Sequence, residues 1–259
     1  MSDISAIVLD VDGGAMLREC LASIAAQSLP PLETIVFDNG SRVPSLGPRV
    51  IRSETNRGFA GGANAALRES RGAFIALINN DVILDADWLA TVRAAMDADM
   101  KLAAVQTILR RDNATIDGAG IAISDGTFRQ IGHGSPIGSQ LEPAWGVSAT
   151  ATLYRREAIG ESFFDERFFA YYEDVELCAR LHAGGWRTAV IPEVLATHRG
   201  SASAPLLGRD ALRLRTRNRY WVARYHRGVG RVSALLWEDT KLLARSRSSL
   251  RGIWEGLTG

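Results

Sequence analysis

Three apolar runs in the first third of the chain each end in a polar, acid-bearing turn, and a helical pattern follows before the next run begins. This alternation constrains the fold more than any other feature. Strands separated by a helix cannot pair as hairpins, so they lie parallel and their crossovers cover the faces of one sheet. Ile4-Ser-Ala-Ile-Val-Leu9 reads as a buried strand ending at Asp10-Val11-Asp12. Gly13-Gly14 then opens a helix, in which Leu17, Leu21, Ile24 and Ser28 recur at helical spacing until Pro30-Pro31 stops it. Thr34–Phe37 ends at Asp38-Asn39-Gly40-Ser41, and Ala73–Ile78 ends at Asn79-Asn80-Asp81. Between these runs a Gly-rich turn, Asn56 to Gly62, opens a helix through Ala63–Glu69; helix Trp88–Met96 and strand Leu102–Ile108 come next. The pattern predicts an α/β fold: a mostly parallel, three-layer sheet. Its polar strand ends share the edge where open α/β sheets bind ligands.

With 259 residues, 46% hydrophobic and 23% charged, the chain has room for one large core or two closely packed subdomains, and its composition is not that of a disordered protein. Cys20 and Cys178 lack metal-ligand spacing and sit in apolar helical contexts, as inert buried thiols in a reducing compartment do. The N-terminus has no basic-then-apolar signal pattern, and no apolar run reaches the roughly 20 residues that span a bilayer. The expected location is cytoplasmic, with the inner face of the plasma membrane as a further option because of the C-terminal charge. Residues 208–259 carry twelve Lys/Arg against four acids, a net +8, which leaves −7 on residues 1–207. Tyr220, Trp221, Trp237 and Trp254 are interleaved with these charges. Such helices either touch an anionic membrane surface or pack their aromatics on the catalytic body. Nucleic acid is not expected as a partner, because no recognised binding module accompanies the basic residues.

The glycine run matches neither the Gly-x-x-x-x-Gly-Lys-Ser/Thr phosphate loop nor the dinucleotide fingerprint, although small residues at a helix entrance let backbone amides approach a phosphate or a sugar. Asn79-x-Asp81 reads either as an Asx turn or as a hard oxygen site for Mn2+ or Mg2+ beside a diphosphate. Ala170-Tyr-Tyr-Glu-Asp-Val-Glu-Leu177 places Glu173 and Asp174 ahead of an amphipathic helix. Such a pair serves as a helix cap or as a catalytic base, and the two roles are compatible.

Taken in order, Phe37-Asp-Asn-Gly-Ser41, Asn56-Arg-Gly-Phe-Ala-Gly-Gly62, Leu77-Ile-Asn-Asn-Asp81, Phe164-Asp-Glu-Arg-Phe-Phe169 and Tyr172-Glu-Asp-Val-Glu-Leu177 resemble the family-2 inverting glycosyltransferases, most closely their rhamnosyltransferase-like branch. The resemblance covers about residues 4–225 and implies the GT-A fold. It divides the chain into a catalytic domain over 1–207, with a nucleotide-sugar half over about 1–110 and an acceptor half over 111–207, and a helical region over 208–259. Donor binding would fall to Asp10, Asp38, Asn56, Gly58, Gly61, Asn64 and Asn80, with Asp38 accepting from the pyrimidine N3–H. Asp81, Asn79 and His198 would hold the metal. Asp174 would be the general base, Glu173 would orient it or bind acceptor hydroxyls, and Trp145 and Glu176 would contact the acceptor.

This chain departs from the family pattern at three places. Glu176 stands where the usual second acid is shorter, the first strand ends in Leu9-Asp10-Val11-Asp12, and Asn79 lacks the charge of Asp. The function expected from the resemblance is transfer of a sugar, foremost L-rhamnose from dTDP-L-rhamnose, to a glycan or lipid-linked acceptor of a cell-surface polysaccharide. UDP-galactofuranose, UDP-GlcNAc or another UDP-sugar is the alternative donor. A non-catalytic nucleotide-sugar-binding subunit is the alternative of another class.

Overall fold

The computed structural model describes residues 2–124, 127–161, 163–200, 209–226, 231–240 and 247–258. Nine strands form the central sheet, in the order β3-β2-β1-β4-β10-β6-β11-β5 with β7 paired to β6. Here β1 is Ile4–Asp10, β2 Glu33–Asn39, β3 Arg49–Ser53, β4 Phe74–Asn79, β5 Val82–Leu84, β6 Leu102–Arg110 and β7 Ile116–Gly118. The chain continues through a separate hairpin, β8 Ile121–Ser124 with β9 Thr127–Gln130, to β10 Ala151–Arg155 and β11 Arg187–His198. The sheet is parallel across β3-β2-β1-β4 and between β6 and β11. The expectation of a mostly parallel sheet is met in the first half and modified in the second. There β10 inserts antiparallel between β4 and β6, and β5 and β7 also pair antiparallel. A strand from the second half of the chain thus separates β4 from β6, a long-range pairing that local periodicity does not encode.

Strand alternation sorts the core into two layers of side chains. Ile4, Ala6 and Val8 of β1 and Phe74, Ala76 and Ile78 of β4 pack on helices α1 (Gly14–Ala25) and α3 (Trp88–Ala98) through Leu17, Ile24, Trp88 and Val92. From the other face, Ile7, Leu9, Ile75 and Leu77 pack on α2 (Gly58–Glu69) and α5 (Glu173–Ala183), which follows the short α4 (Arg156–Ile159). Helix α2 begins at Gly58, earlier than the glycine-rich sequence predicts. Its Gly62 packs closely on β2, a Cβ there coming within 3.3 Å of the Phe37 and Asn39 side chains, and burial of this face offsets low helix propensity.

The C-terminal region forms α6 (Arg209–Tyr225), α7 (Val232–Thr240) and α8 (Arg247–Thr258). Helix α6 docks on the body: Val222 joins Ile121, Phe168 and Val175 in one buried cluster, and Tyr220 joins Ala223 and Leu235 in another. Tyr220 and Trp221 are therefore packing residues, whereas Trp237 and Trp254 are 69% and 70% exposed. Helix α8 lies close against α6 through two glycines one turn apart. A Cβ on Gly252 would stand 2.6 Å from the Arg213 carbonyl oxygen, and one on Gly256 2.7 Å from that of Arg217. Because both obstacles are backbone, we expect Gly256→Ala to destabilise the protein by about 1–3 kcal/mol in urea unfolding. A stability equal to that of the parent would show that the two helices are free to part.

Candidate active site

The C-terminal ends of β1, β2 and β4 meet on one edge, and a cavity of about 730 Å³ opens there. Asp10 and Asp38 are register partners at this edge, yet neither lines the cavity. Asp10 accepts from the Asn80 side-chain amide at 2.6 Å, from Gly13 N–H at 3.2 Å and from the Ser45 hydroxyl at 2.6 Å. Asp38 accepts from the amides of Ser41 (2.9 Å) and Ser45 (3.0 Å) and from the Arg52 guanidinium. Burial raises the Asp38 carboxyl, but those amides and Arg52 outweigh it and hold the group below the usual carboxylate range. The loop that carries Ser41 and Ser45 thus occupies the acceptor positions expected to receive a base.

Asn56, Gly58, Asn79 and Asn80 line the cavity. Asn56 and Asn39 shape the glycine turn: Asn56 Oδ1 accepts from Gly58 N–H (2.8 Å), and Asn39 donates to the Gly58 carbonyl (2.9 Å). Gly58 has φ +74°, and a Cβ there would sit 2.4 Å from the Phe169 carbonyl oxygen. Gly61 and Asn64 are not part of the lining. Gly61 faces Arg57 and Glu166. Asn64 ties α2 to the second half, donating to the Phe164 carbonyl (2.8 Å) and Glu166 (3.1 Å) and accepting from Phe164 N–H (2.9 Å).

Antiparallel pairing of β11 with β5 sets His198 opposite Val82, beside Asp81. His198 Nε2 stands 3.3 Å from Asp81 Oδ1, while Nδ1 is 2.7 Å from Asp117 Oδ2. Burial lowers the His198 pKa, but hydrogen bonds and charge from Asp117 and Asp81 outweigh it and raise the imidazole to about 9. Asp117 also pairs with Arg111 at 3.2 Å. The sequence reading overlooked Asp117, because a single acid in a three-residue strand leaves no periodic signal. Among the described residues no three His, Cys, Asp or Glu side chains converge at metal-ligand geometry; Asp81 and His198 form a pair.

Glu173 and Asp174 occupy the first turn of α5 and line the same cavity. Asp174 accepts from Val175 N–H (2.8 Å) and, more weakly, from Ala149 N–H (3.4 Å). Glu173 is 6% exposed, and its Oε2 has no hydrogen-bond partner among the described residues. Burial, and then the charge of Asp174, push Glu173 up to about 8, and burial raises Asp174 as well. The turn entering the pair has three non-glycine residues at positive φ, namely Phe169, Tyr171 and Tyr172, each costing roughly 1–3 kcal/mol.

The remaining wall combines the β8–β9 hairpin, the Tyr171-Tyr172 turn and α6. Phe128 meets Tyr172 edge-on at 5.7 Å, and the Arg215 guanidinium lies 4.3 Å over Tyr171. Trp145 and Glu176, expected at the acceptor, lie outside the lining. The Trp145 ring packs edge-on against His182 at 5.0 Å, between two core clusters. One turn along α5, Glu176 is held by Arg180 at 2.7 Å and His226 at 3.3 Å. Burial raises its carboxyl, but His226 and Arg180 outweigh that and hold it low. Cys178 is buried, and burial pushes its thiol up to about 12, in keeping with an inert thiol.

Residues 7–163 match the Glycosyl transferase family 2. N-acetylglucosaminyl-diphospho-decaprenol L-rhamnosyltransferase of Mycobacterium tuberculosis is 27% identical over 250 residues, covering 81% of this chain and 80% of the relative. O-antigen biosynthesis protein RfbC of Myxococcus xanthus is 28% identical over 226 residues, 77% of this chain; the match spans only 17% of that protein's length. Among solved structures, the mannosyltransferase PcManGT of Pyrobaculum calidifontis, in complex with GDP-Man and Mn2+, superposes with a TM-score of 0.63 at 16% identity. That match covers 99% of this chain and 76% of the other. TarS of S. aureus in complex with UDP-GlcNAc superposes with a TM-score of 0.56 at 19% identity, over 83% of this chain and 66% of TarS. These likenesses identify the fold as GT-A.

The Glu173 carboxyl, whose Oε2 has no hydrogen-bond partner among the described residues, makes a stability prediction. Its folded pKa of about 8 lies above its ordinary value of 4.5, so its contribution is fully present below pH 4.5 and is lost as pH rises through 8. Thermal unfolding of Glu173→Gln is therefore expected to exceed that of the parent at pH 8 and to match it near pH 4.5. An equal shift at both pH values would rule out the buried carboxyl as the cause.

Proposed function

The chain belongs to glycosyl transferase family 2, and on that premise we propose that it is an inverting transferase moving a sugar, foremost L-rhamnose from dTDP-L-rhamnose, onto a glycan or lipid-linked glycan hydroxyl. The observation that carries this reading is that Glu173, buried, and Asp174, half-buried, open on the same cavity as Asp81 and His198. The choice of sugar is supported by the relative named as a rhamnosyltransferase, and a role in surface polysaccharide by the one named for O-antigen biosynthesis.

Inversion is a single displacement in which the acceptor oxygen approaches the anomeric carbon opposite the departing nucleoside diphosphate and loses its proton as the bond forms. Asp174 takes that proton. Two backbone amides and the N-terminus of α5 favour its charged form, and burial brings its pKa closer to the working range of a base. Glu173, protonated at neutral pH, keeps an O–H to donate to a sugar oxygen. The pair thereby divides between an accepting and a donating acid.

Asp81 and His198 fit Mn2+ or Mg2+ as two side-chain ligands. His198 Nε2 stands 3.3 Å from Asp81 Oδ1, so the two would hold the ion together, with Asp117 orienting the imidazole from behind. Water and substrate phosphate would complete the coordination, the usual arrangement for these ions. Bound there, the ion supplies positive charge to the leaving diphosphate. Asn79 stands beside the pair on the cavity wall.

No helix among the described residues is long and apolar enough to cross a membrane. The C-terminal helices nevertheless suit peripheral contact. Opposite the glycines that face α6, α8 exposes Leu250, Arg251 and Trp254, and a basic region with an interfacial Trp fits an anionic bilayer.

In purified protein supplied with dTDP- and UDP-sugars and Mn2+, we expect Asp174→Asn to lose about 10³-fold or more in kcat, with donor affinity retained. Full activity would remove Asp174 from the mechanism. Asp81→Ala is expected to abolish the gain in donor affinity on adding Mn2+, read by calorimetry; an undiminished gain would place the ion elsewhere. The double variant L250S/W254S should no longer sediment with vesicles containing phosphatidylglycerol while remaining folded, and unchanged sedimentation would exclude that face.

A further inference from the structure

The turn before the acidic pair has a backbone its own residues disfavour. Phe169, at φ 63° and ψ −63°, is the centre of a γ-turn closed by Ala170 N–H donating to the Phe168 carbonyl at 2.7 Å. Tyr171 and Tyr172 follow at φ 71° and 68°, and neither has the freedom of glycine or the local hydrogen bonding that lets Asn adopt this region. Tyr172 is the N-cap of α5 and makes no side-chain capping bond. A slip of one residue at the start of α5 would turn Glu173 and Asp174 by about 100° around the helix axis.

Helix α6 holds this turn from one side. Asn218 is wholly buried, and its side-chain nitrogen lies within hydrogen-bond distance of the carbonyls of Phe168 (2.9 Å), Ala170 (2.9 Å) and Tyr171 (2.7 Å), its two protons shared among the three. Its side-chain oxygen accepts from Arg217 Nε at 2.8 Å, which fixes the orientation of the amide. Arg217 reaches the same turn through Nη2, donating to the carbonyls of Arg167 (2.9 Å) and Phe168 (3.1 Å), with its guanidinium 4.2 Å over Trp221. Side-chain donors from one helix thus satisfy four carbonyls of a turn that precedes another. An aspartate at 218 would set a carboxylate against three carbonyl oxygens, and an alanine would leave Ala170 and Tyr171 without the donor that holds them.

We propose that Asn218, backed by Arg217, is a positioning residue for the transfer reaction: it holds the Phe168–Tyr172 turn so that α5 starts with Glu173 and Asp174 in the cavity. The C-terminal helices are then part of the catalytic apparatus. This inference rests on the reading of Asp174 as the base, and its test has one readout that does not.

In the full chain, Asn218→Ala is expected to speed amide hydrogen exchange across residues 168–175 by about tenfold or more while leaving β1 and β4 unchanged. The same variant should lower kcat by about 30-fold or more with donor affinity nearly unchanged, a split that general destabilisation does not produce. Arg217→Met, which keeps apolar contact with Trp221, should change both readouts in the same direction to a smaller degree, and it carries the test if Asn218→Ala does not fold. Unchanged exchange across 168–175 would overturn the proposal, as would parental kcat per folded molecule or an equal fall in kcat and donor affinity. If the parent chain transfers no sugar from any donor, the functional reading fails, and the exchange measurement still decides whether Asn218 holds the turn.

Discussion

The Asp10 carboxylate is the joint on which the cavity floor depends. One local and two distant segments donate to it: Gly13 after β1, Ser45 in the loop between β2 and β3, and Asn80 after β4. It is 2% exposed, and a buried carboxylate deprived of such donors costs several kcal/mol. The approach is so close that a Cβ on Gly13 would stand 2.1 Å from Asp10 Oδ1. By gathering the strand ends this way, the carboxylate orients Asn80 and sets the start of the Asn79–Asp81 turn, and with it Asp81 next to His198.

A second set of long-range contacts brings the acids of the two halves to one cavity. β10 inserts next to β4, and the segment just before it supplies the Ala149 amide to Asp174. Helix α5 follows a turn anchored on both sides: by Ala60 N–H, donating to the Phe169 carbonyl at 3.2 Å, and by Asn218. The tight fit of Gly58 beneath Phe169 joins the glycine-rich loop to the same turn. The glycine-rich loop and the start of α5 therefore share backbone contacts.

Much of this was legible from local pattern. β1, β2, β4 and β6 and helices α1, α3 and α5 fall where periodicity and Pro/Gly punctuation put them, because burial of one face repeats at short range. β3, β5 and β7 carry little local signal for a physical reason: each is short, and in β3 two arginines flank a single Val-Ile pair. Among the site residues, Asn56, Gly58, Asn79, Asn80, Asp81, His198, Glu173 and Asp174 line the cavity. Asp10, Asp38, Asn64 and Glu176 were also singled out, and each has its polar atoms taken up by partners within the protein. Residues beyond 207 also touch the site: Arg215 reaches the cavity and Asn218 grips the turn beside it.

By itself the sequence determined the alternation of strands and helices, the acids at the strand ends and the amphipathic helix behind Glu173–Asp174, because each is a short-range pattern of side-chain size and polarity. Only the tertiary structure decided which acids face the cavity and which are locked away. That choice depends on hydrogen-bond partners tens of residues distant, and a carboxylate already saturated by amides, hydroxyls or a guanidinium has little left to offer a substrate.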